Sequence, residues 1–263
     1  MIRPDRAHLT LLAAATSVAL LLLSGLGFAV YFAVADDPTT PTTARLVDSL
    51  PTGGASLRDE IAAAPMLAVS AADATGGTPA LGPLPTIDIP LVDQIGAEGI
   101  PTGYPQTPEG AVGQLGEILV SVLSSMDLGH AQRVQQSWFE DPTSSTDSAG
   151  SSGSWPVLGL IQSFLIAGKM PDGLQPGAAL TVIPSAGQVK GSDDDGWHVA
   201  CVLVEITYTY RDQARLAYGH CERMTWQEDR WVIADGTHPV PAPSTWPGTE
   251  LALEAGWLTW RDA

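Results

Sequence analysis

The sequence predicts an α+β domain behind a membrane-spanning helix. Three observations carry that expectation. Residues 9–35 form a run without a charged side chain. Between Thr107 and Gly168 apolar residues recur at steps of three and four, the spacing of amphipathic helices. From Ala179 onward apolar and polar residues alternate between turn signals, the pattern of strands.

A helix over 9–35, rising ~1.5 Å per residue, exceeds the ~30 Å hydrocarbon core of a bilayer and can span it with some tilt. Residues 1–8 carry Arg3 and Arg6, whereas Asp36 and Asp37 follow the run. That asymmetry keeps the start in the cytoplasm and sends the rest out, as a single-pass protein of the cell membrane. Cleavage after Ala35 is the alternative, because Ala33-Val34-Ala35 fits a small-x-small site and would yield a secreted form. Signal cores run only ~7–15 residues, which favours a retained anchor.

Residues 36–107 are rich in Pro, Ala, Gly and Thr and read as an extracytoplasmic tether. Within them Ser56-Leu57-Arg58-Asp59 opens a short helix that Pro65 stops. Ile87, Ile89, Leu91 and Val92 would let part of the tether pack in extended form. The folded domain is expected over 108–236. Thr107-Pro108-Glu109 is an N-cap, a first-turn proline and a first-turn acid. The helix that follows carries Val112, Leu115, Leu119, Val122 and Met126 on one stripe and is expected to end near Gly129. A weaker helix runs from His130 to Phe139, and a Ser/Thr/Gly/Asp loop occupies 141–154. The third helix, 155–167, is capped by Ser154, closed by Gly168 and apolar round most of its circumference, so it is expected to be buried. Four antiparallel strands follow at 179–189, 197–210, 214–226 and 230–235. Val202, Val204, Ile206, Tyr208 and Tyr210 mark a single buried face. The tail, 237–263, holds Trp246, Trp257 and Trp260 and a short helix over 249–255, and is expected to pack on the domain.

Twelve Lys and Arg against 29 Asp and Glu give a net charge of −17. Such a surface repels nucleic acid and anionic headgroups, which excludes nucleic-acid binding. The expected partners are the membrane, through 9–35, and other membrane or envelope proteins, with a homo-oligomer left open. Cys201 and Cys221 fall on consecutive strands of an exported hairpin, which points to a disulfide; two reduced thiols are the alternative. Neither has a second ligand at zinc-like spacing.

Three helices followed by a curved four-stranded meander resemble the α+β cone of the nuclear transport factor two superfamily. The periplasmic domain of the inner-membrane scaffold subunit of type IV secretion systems shares that cone. It also shares the short cytoplasmic start, single span and linker. The segments GIPTGYPQTPEGAV (99–112) and PSTWPGTELALEAGW (243–257) are similar to those of actinobacterial membrane proteins of mobile elements. The resemblance covers roughly 108–235 and rests on the order of elements. It implies a non-catalytic role in a conjugation or secretion assembly.

Enzymes also occur on such cones, with acid and base groups inside. His220 and Glu222 share strand parity with Leu216, Tyr218, Met224 and Trp226. With Tyr208 or Tyr210 they would form a His/Glu/Tyr pocket for proton transfer. The plainer placement puts them at the sheet rim or against Arg223 or Arg215. Asp193-Asp194-Asp195 lacks the alternate spacing of a calcium loop and reads as a solvated turn. Gly150-Ser151-Ser152-Gly153-Ser154 is not a nucleophile elbow. No catalytic residue, metal or cofactor is therefore expected. Trp246, Trp257 and Trp260 cover a core edge or, alternatively, form a partner surface. The expected function is a non-enzymatic, membrane-anchored extracytoplasmic interaction domain; the alternative is an extracytoplasmic cone enzyme or small-ligand binder.

Overall fold

The computed structural model describes residues 56–140, 155–170 and 173–263. The expected span at 9–35, the first part of the tether and the loop at 141–154 lie outside the described residues. Among the described residues no helix is long and apolar enough to cross a membrane.

Helix α1 (Leu57–Ala63) begins where Ser56 caps the Asp59 amide. Helix α2 (Pro108–Ser125) starts at Thr107, whose hydroxyl accepts from the Gly110 amide at 3.1 Å. It ends earlier than expected, because Met126 turns left-handed (φ 45°). Asp127 then caps α3 (Leu128–Trp138) through the His130 amide at 2.7 Å, so Gly129 lies inside a first turn rather than closing a helix. Helix α4 (Pro156–Gly168) has Trp155 at its N-cap position without a side-chain cap. Its expected full burial does not hold. Val157 and Ile161 are buried, but Ile166 is 69% exposed, because only one side of the helix meets the protein.

The sheet is a curled half-barrel of six strands in the order β1-β8-β4-β5-β6-β7. Its centre is the expected meander: β4 (Ala179–Asp194), β5 (Trp197–Tyr210), β6 (Asp212–Gln227) and β7 (Arg230–Ile233). Strand β4 runs further than expected, since Asp195-Gly196 alone forms the turn to β5. A register shift between Pro184 and Ala186 makes Ser185 an extra residue, so side chains before and after it point to opposite faces. Glu228 and Asp229 both adopt positive φ, the two-residue turn that matches strand twist, between β6 and β7.

Two strands come from segments read as tether and tail. Thr86–Ile89 (β1) pairs in parallel with Leu258–Asp262 (β8), and β8 pairs with β4 at Ala186 and Gly187. Between Pro85 and Pro90, four alternating residues suffice for a strand, and Ile87 and Ile89 are buried. A separate small ladder joins β2 (Gln94–Ile95) to β3 (Pro101–Thr102). The tail helix, α5 (Glu250–Glu254), is capped by Thr249 and stopped by Gly256 at φ +84°.

Both faces of the sheet are covered. On the helical face, Leu115, Ile118, Leu119 and Val122 of α2 pack on Val202, Val204 and Ile206. Gly116 allows Trp260 of β8 to lie on α2, where a Cβ would come within 2.7 Å of the indole. On the opposite face, Val199, Cys201, Leu203, Ala217 and Cys221 are covered by Ala62, Ala242, Ala252 and Trp257. The expectation of one buried face fails here, because remote segments fold back over the second. Each large side chain buried this way contributes ~1.5–3 kcal/mol.

Candidate functional site

Strand β6 places Tyr218, His220 and Glu222 at alternate positions, all toward the helices. His220 Nε2 lies 2.7 Å from Glu222 Oε1, and Tyr218 Oη lies 3.0 Å from His220 Nδ1. Two remote residues complete the group. Trp155 Nε1 donates to Glu222 Oε1 at 2.9 Å, and His238 Nδ1 lies 3.7 Å from Glu222 Oε2. Glu222 is 2% exposed and His220 6%.

Burial pushes the Glu222 carboxyl up, but the hydrogen bond and charge of His220, then those of His238, outweigh it and hold the group at about 2. Burial, with the charge of Glu222 added, pushes the Tyr218 phenol up, so it stays protonated and able to donate. The chain runs from the Tyr218 hydroxyl through the two ring nitrogens of His220 to the Glu222 carboxylate. This is the wiring of a proton relay, and every polar atom along it is occupied from within the protein. A cavity of about 230 Å³ lies on the other face of the sheet, bordered by Ala252 and Trp257 and by none of these groups.

The sequence-derived pocket is thus assembled in part. His220 and Glu222 meet, and they pair with each other. Arg223 instead reaches Asp59 at 2.6 Å on the opposite face, and Arg215 pairs with Glu205. Tyr208 and Tyr210 do not join them: Tyr208 packs edge-on to Phe164, and Tyr210 lies under the Arg211 guanidinium. Tyr218 takes the place expected of them, and its parity with His220 was legible. Trp155 and His238 carried no local signal, because their place depends on the tertiary path of the chain.

Cys201 and Cys221 sit directly opposite each other in the β5–β6 register and form the disulfide. Asp193 and Asp194 are held by Arg58, and among the described residues no group of three His, Cys, Asp or Glu is arranged for a metal ion. The tryptophans divide. Trp257 is 2% exposed and donates to the Pro243 carbonyl at 3.0 Å, so it is core rather than surface. Trp260 is partly buried against α2, and Trp246 is partly buried beneath the Arg215 guanidinium. Comparison with known proteins finds no matching family model, no matching curated protein and no matching solved structure.

Proposed function

We propose that the chain is a non-enzymatic, single-pass membrane protein that presents an extracytoplasmic interaction domain, a component of a conjugation or secretion assembly built on a cone like that of the nuclear transport factor two superfamily. The observation that carries this reading is the Cys201–Cys221 disulfide, since such bonds persist in oxidising compartments outside the cytoplasm. The uncharged run at 9–35 and the acidic charge of the remainder support the same side. The closely filled helical face, with Trp155 seated on Glu222, supports a structural role for the buried polar group.

Protease applied to intact spheroplasts is expected to digest the domain while an N-terminal tag stays protected in the membrane fraction. A mature N-terminus at Asp36 would replace the anchor with a secreted form. Full resistance of the domain, with both cysteines freely alkylated, would overturn the export itself. Cross-linking in the native membrane is then expected to recover envelope proteins with the intact chain.

The convergence of Tyr218, His220 and Glu222 favours a second reading, an enzyme or small-ligand binder on the same scaffold. That reading requires Trp155 to leave Glu222. A small molecule that raises the melting temperature of the wild type but not of Glu222→Gln would select it.

A further inference from the structure

Strand β4 is sixteen residues long and is paired with β5 along its length. Its other edge is covered far less. β8 meets it only at Ala186 and Gly187 and then diverges, and the described residues place no strand beside 179–184. Pro184 has no N–H, so its nitrogen faces away from β5. With the strand period of two, Leu180 and Val182 then aim both N–H and C=O at the open side. Such a row of backbone groups is complementary to one kind of structure, another extended chain.

A second feature adjoins that edge. The cavity of about 230 Å³ is lined by Leu84, Ser185, Ala252, Leu253, Trp257 and Thr259, directly after the open segment. Ile183 stands on the same face and is 53% exposed. The slot is mostly apolar, with hydroxyls of Ser185 and Thr259 at its margin. The margin is acidic: Glu250 and Glu254 of α5, the helix that supplies Ala252 and Leu253 to the slot, are exposed. A second copy of a chain carrying −17 would be repelled, whereas a basic segment would be attracted.

We propose that the outer edge of β4 at 179–184 takes up an extended segment of a basic partner polypeptide as an added strand, with one apolar side chain seated in the neighbouring cavity. Backbone pairing supplies affinity, the slot selects the side chain, and the acidic rim selects the charge. Pro184 and the extra residue at Ser185 confine the docked strand to a short stretch and prevent pairing along the whole edge. The proposal deepens the interaction-domain reading and rests on it.

The test uses the full chain in detergent and a fluorescent peptide of about seven residues. The peptide alternates threonine and valine, with leucine at its centre and lysine at both ends. Saturable binding is expected, weakened by salt and by replacing the lysines with glutamate. The amides of Leu180 and Val182 should exchange about tenfold more slowly in the complex, consistent with about one new hydrogen bond each. Leu180→Pro removes an outward donor, Ala252→Leu fills the slot and Ile183→Lys repels the peptide; each should weaken binding by about tenfold or more. Ile183→Lys alters an exposed residue, so it reports on binding even where the buried change disturbs the fold. Absence of binding, or binding that leaves the Leu180 and Val182 amides unchanged, overturns the proposal. Protection of those amides in the free chain at high concentration would make a second copy the occupant and overturn the partner assignment. Failure of the interaction-domain reading would show separately, as cross-linking in the native membrane that recovers no envelope protein with the intact chain.

Discussion

On the helical face of the sheet, one continuous helix supplies most of the cover. Gln114, Leu115, Ile118, Leu119, Val122 and Leu123 of α2 are fully buried, and they lie within ten consecutive positions. On the opposite face no element dominates. Ala62 from α1, Ala242 from a loop, Ala252 from α5 and Trp257 before β8 converge from segments nearly two hundred residues apart. The first face is a local amphipathic pattern pressed on strands. The second is an assembly of small contacts whose geometry depends on the whole chain closing. It is also the face that holds the disulfide. A covalent link between central strands is most useful there, since it limits the disorder of the unfolded chain without requiring a large local core; over a separation of 20 residues it contributes ~3 kcal/mol.

The largest expected effect comes from ending the chain at Thr237. That removes α5 and β8, strips Trp257 from the second face and leaves β1 without its partner. The shortened chain is expected to self-associate and to lose cooperative unfolding, checked by sedimentation and calorimetry. A monodisperse, equally stable product would mean that the second face is not a core. Trp257→Ala is the next step down. It should cost ~3–5 kcal/mol in denaturant unfolding, comparable with Trp155→Ala on the helical face. A cost well below that of Trp155→Ala would rank the two faces unequally.

Acid acts on the helical face. The folded-state value of Glu222 lies below its ordinary 4.5, at about 2. Its contribution to stability is therefore complete above about pH 4.5 and is lost as pH falls toward about 2. Glu222→Gln leaves the buried His220 and the half-buried His238 without their carboxylate and should cost about 3 kcal/mol near neutrality. It should also flatten the stability profile in that acid window, as measured by urea unfolding across pH. His198 acts in a higher window on the same face. Burial holds it below 6.5 against the charges of Asp194, Asp195 and Glu109, so the unfolded chain takes up the proton first and stability begins to fall below about pH 6.5. The smallest effect belongs to Ile166→Ser on the outer side of α4, within ~0.5 kcal/mol, because that side chain is already in solvent.

What could be read in advance follows the same division. The α2 stripe, the N-caps at Ser56 and Thr107, the four meander strands and the Cys201–Cys221 pairing are all local signals, and the structure contains each of them. The Thr86–Ile89 strand was hidden between prolines because its partner is supplied from the other end of the described chain. The burial of α4 was overestimated because composition reports apolarity and says nothing about which side is met. Around Glu222, strand parity places His220 and Tyr218 correctly. Only the folded path could bring Trp155 and His238, because neither is near β6 in sequence.

Strand β8 lies between β1 and β4, although among the described strands it is the last in sequence. During synthesis β1 emerges early and has no neighbour to zip against until about 170 further residues have followed, so its register cannot be set as the chain is produced. The meander β4–β7 can form its hairpins as it emerges, while the seam that closes the sheet waits for β8. This order delays commitment of the sheet until segments from its two ends meet. Until then the sheet stays open on one side, and β8 acts as the latch that closes it.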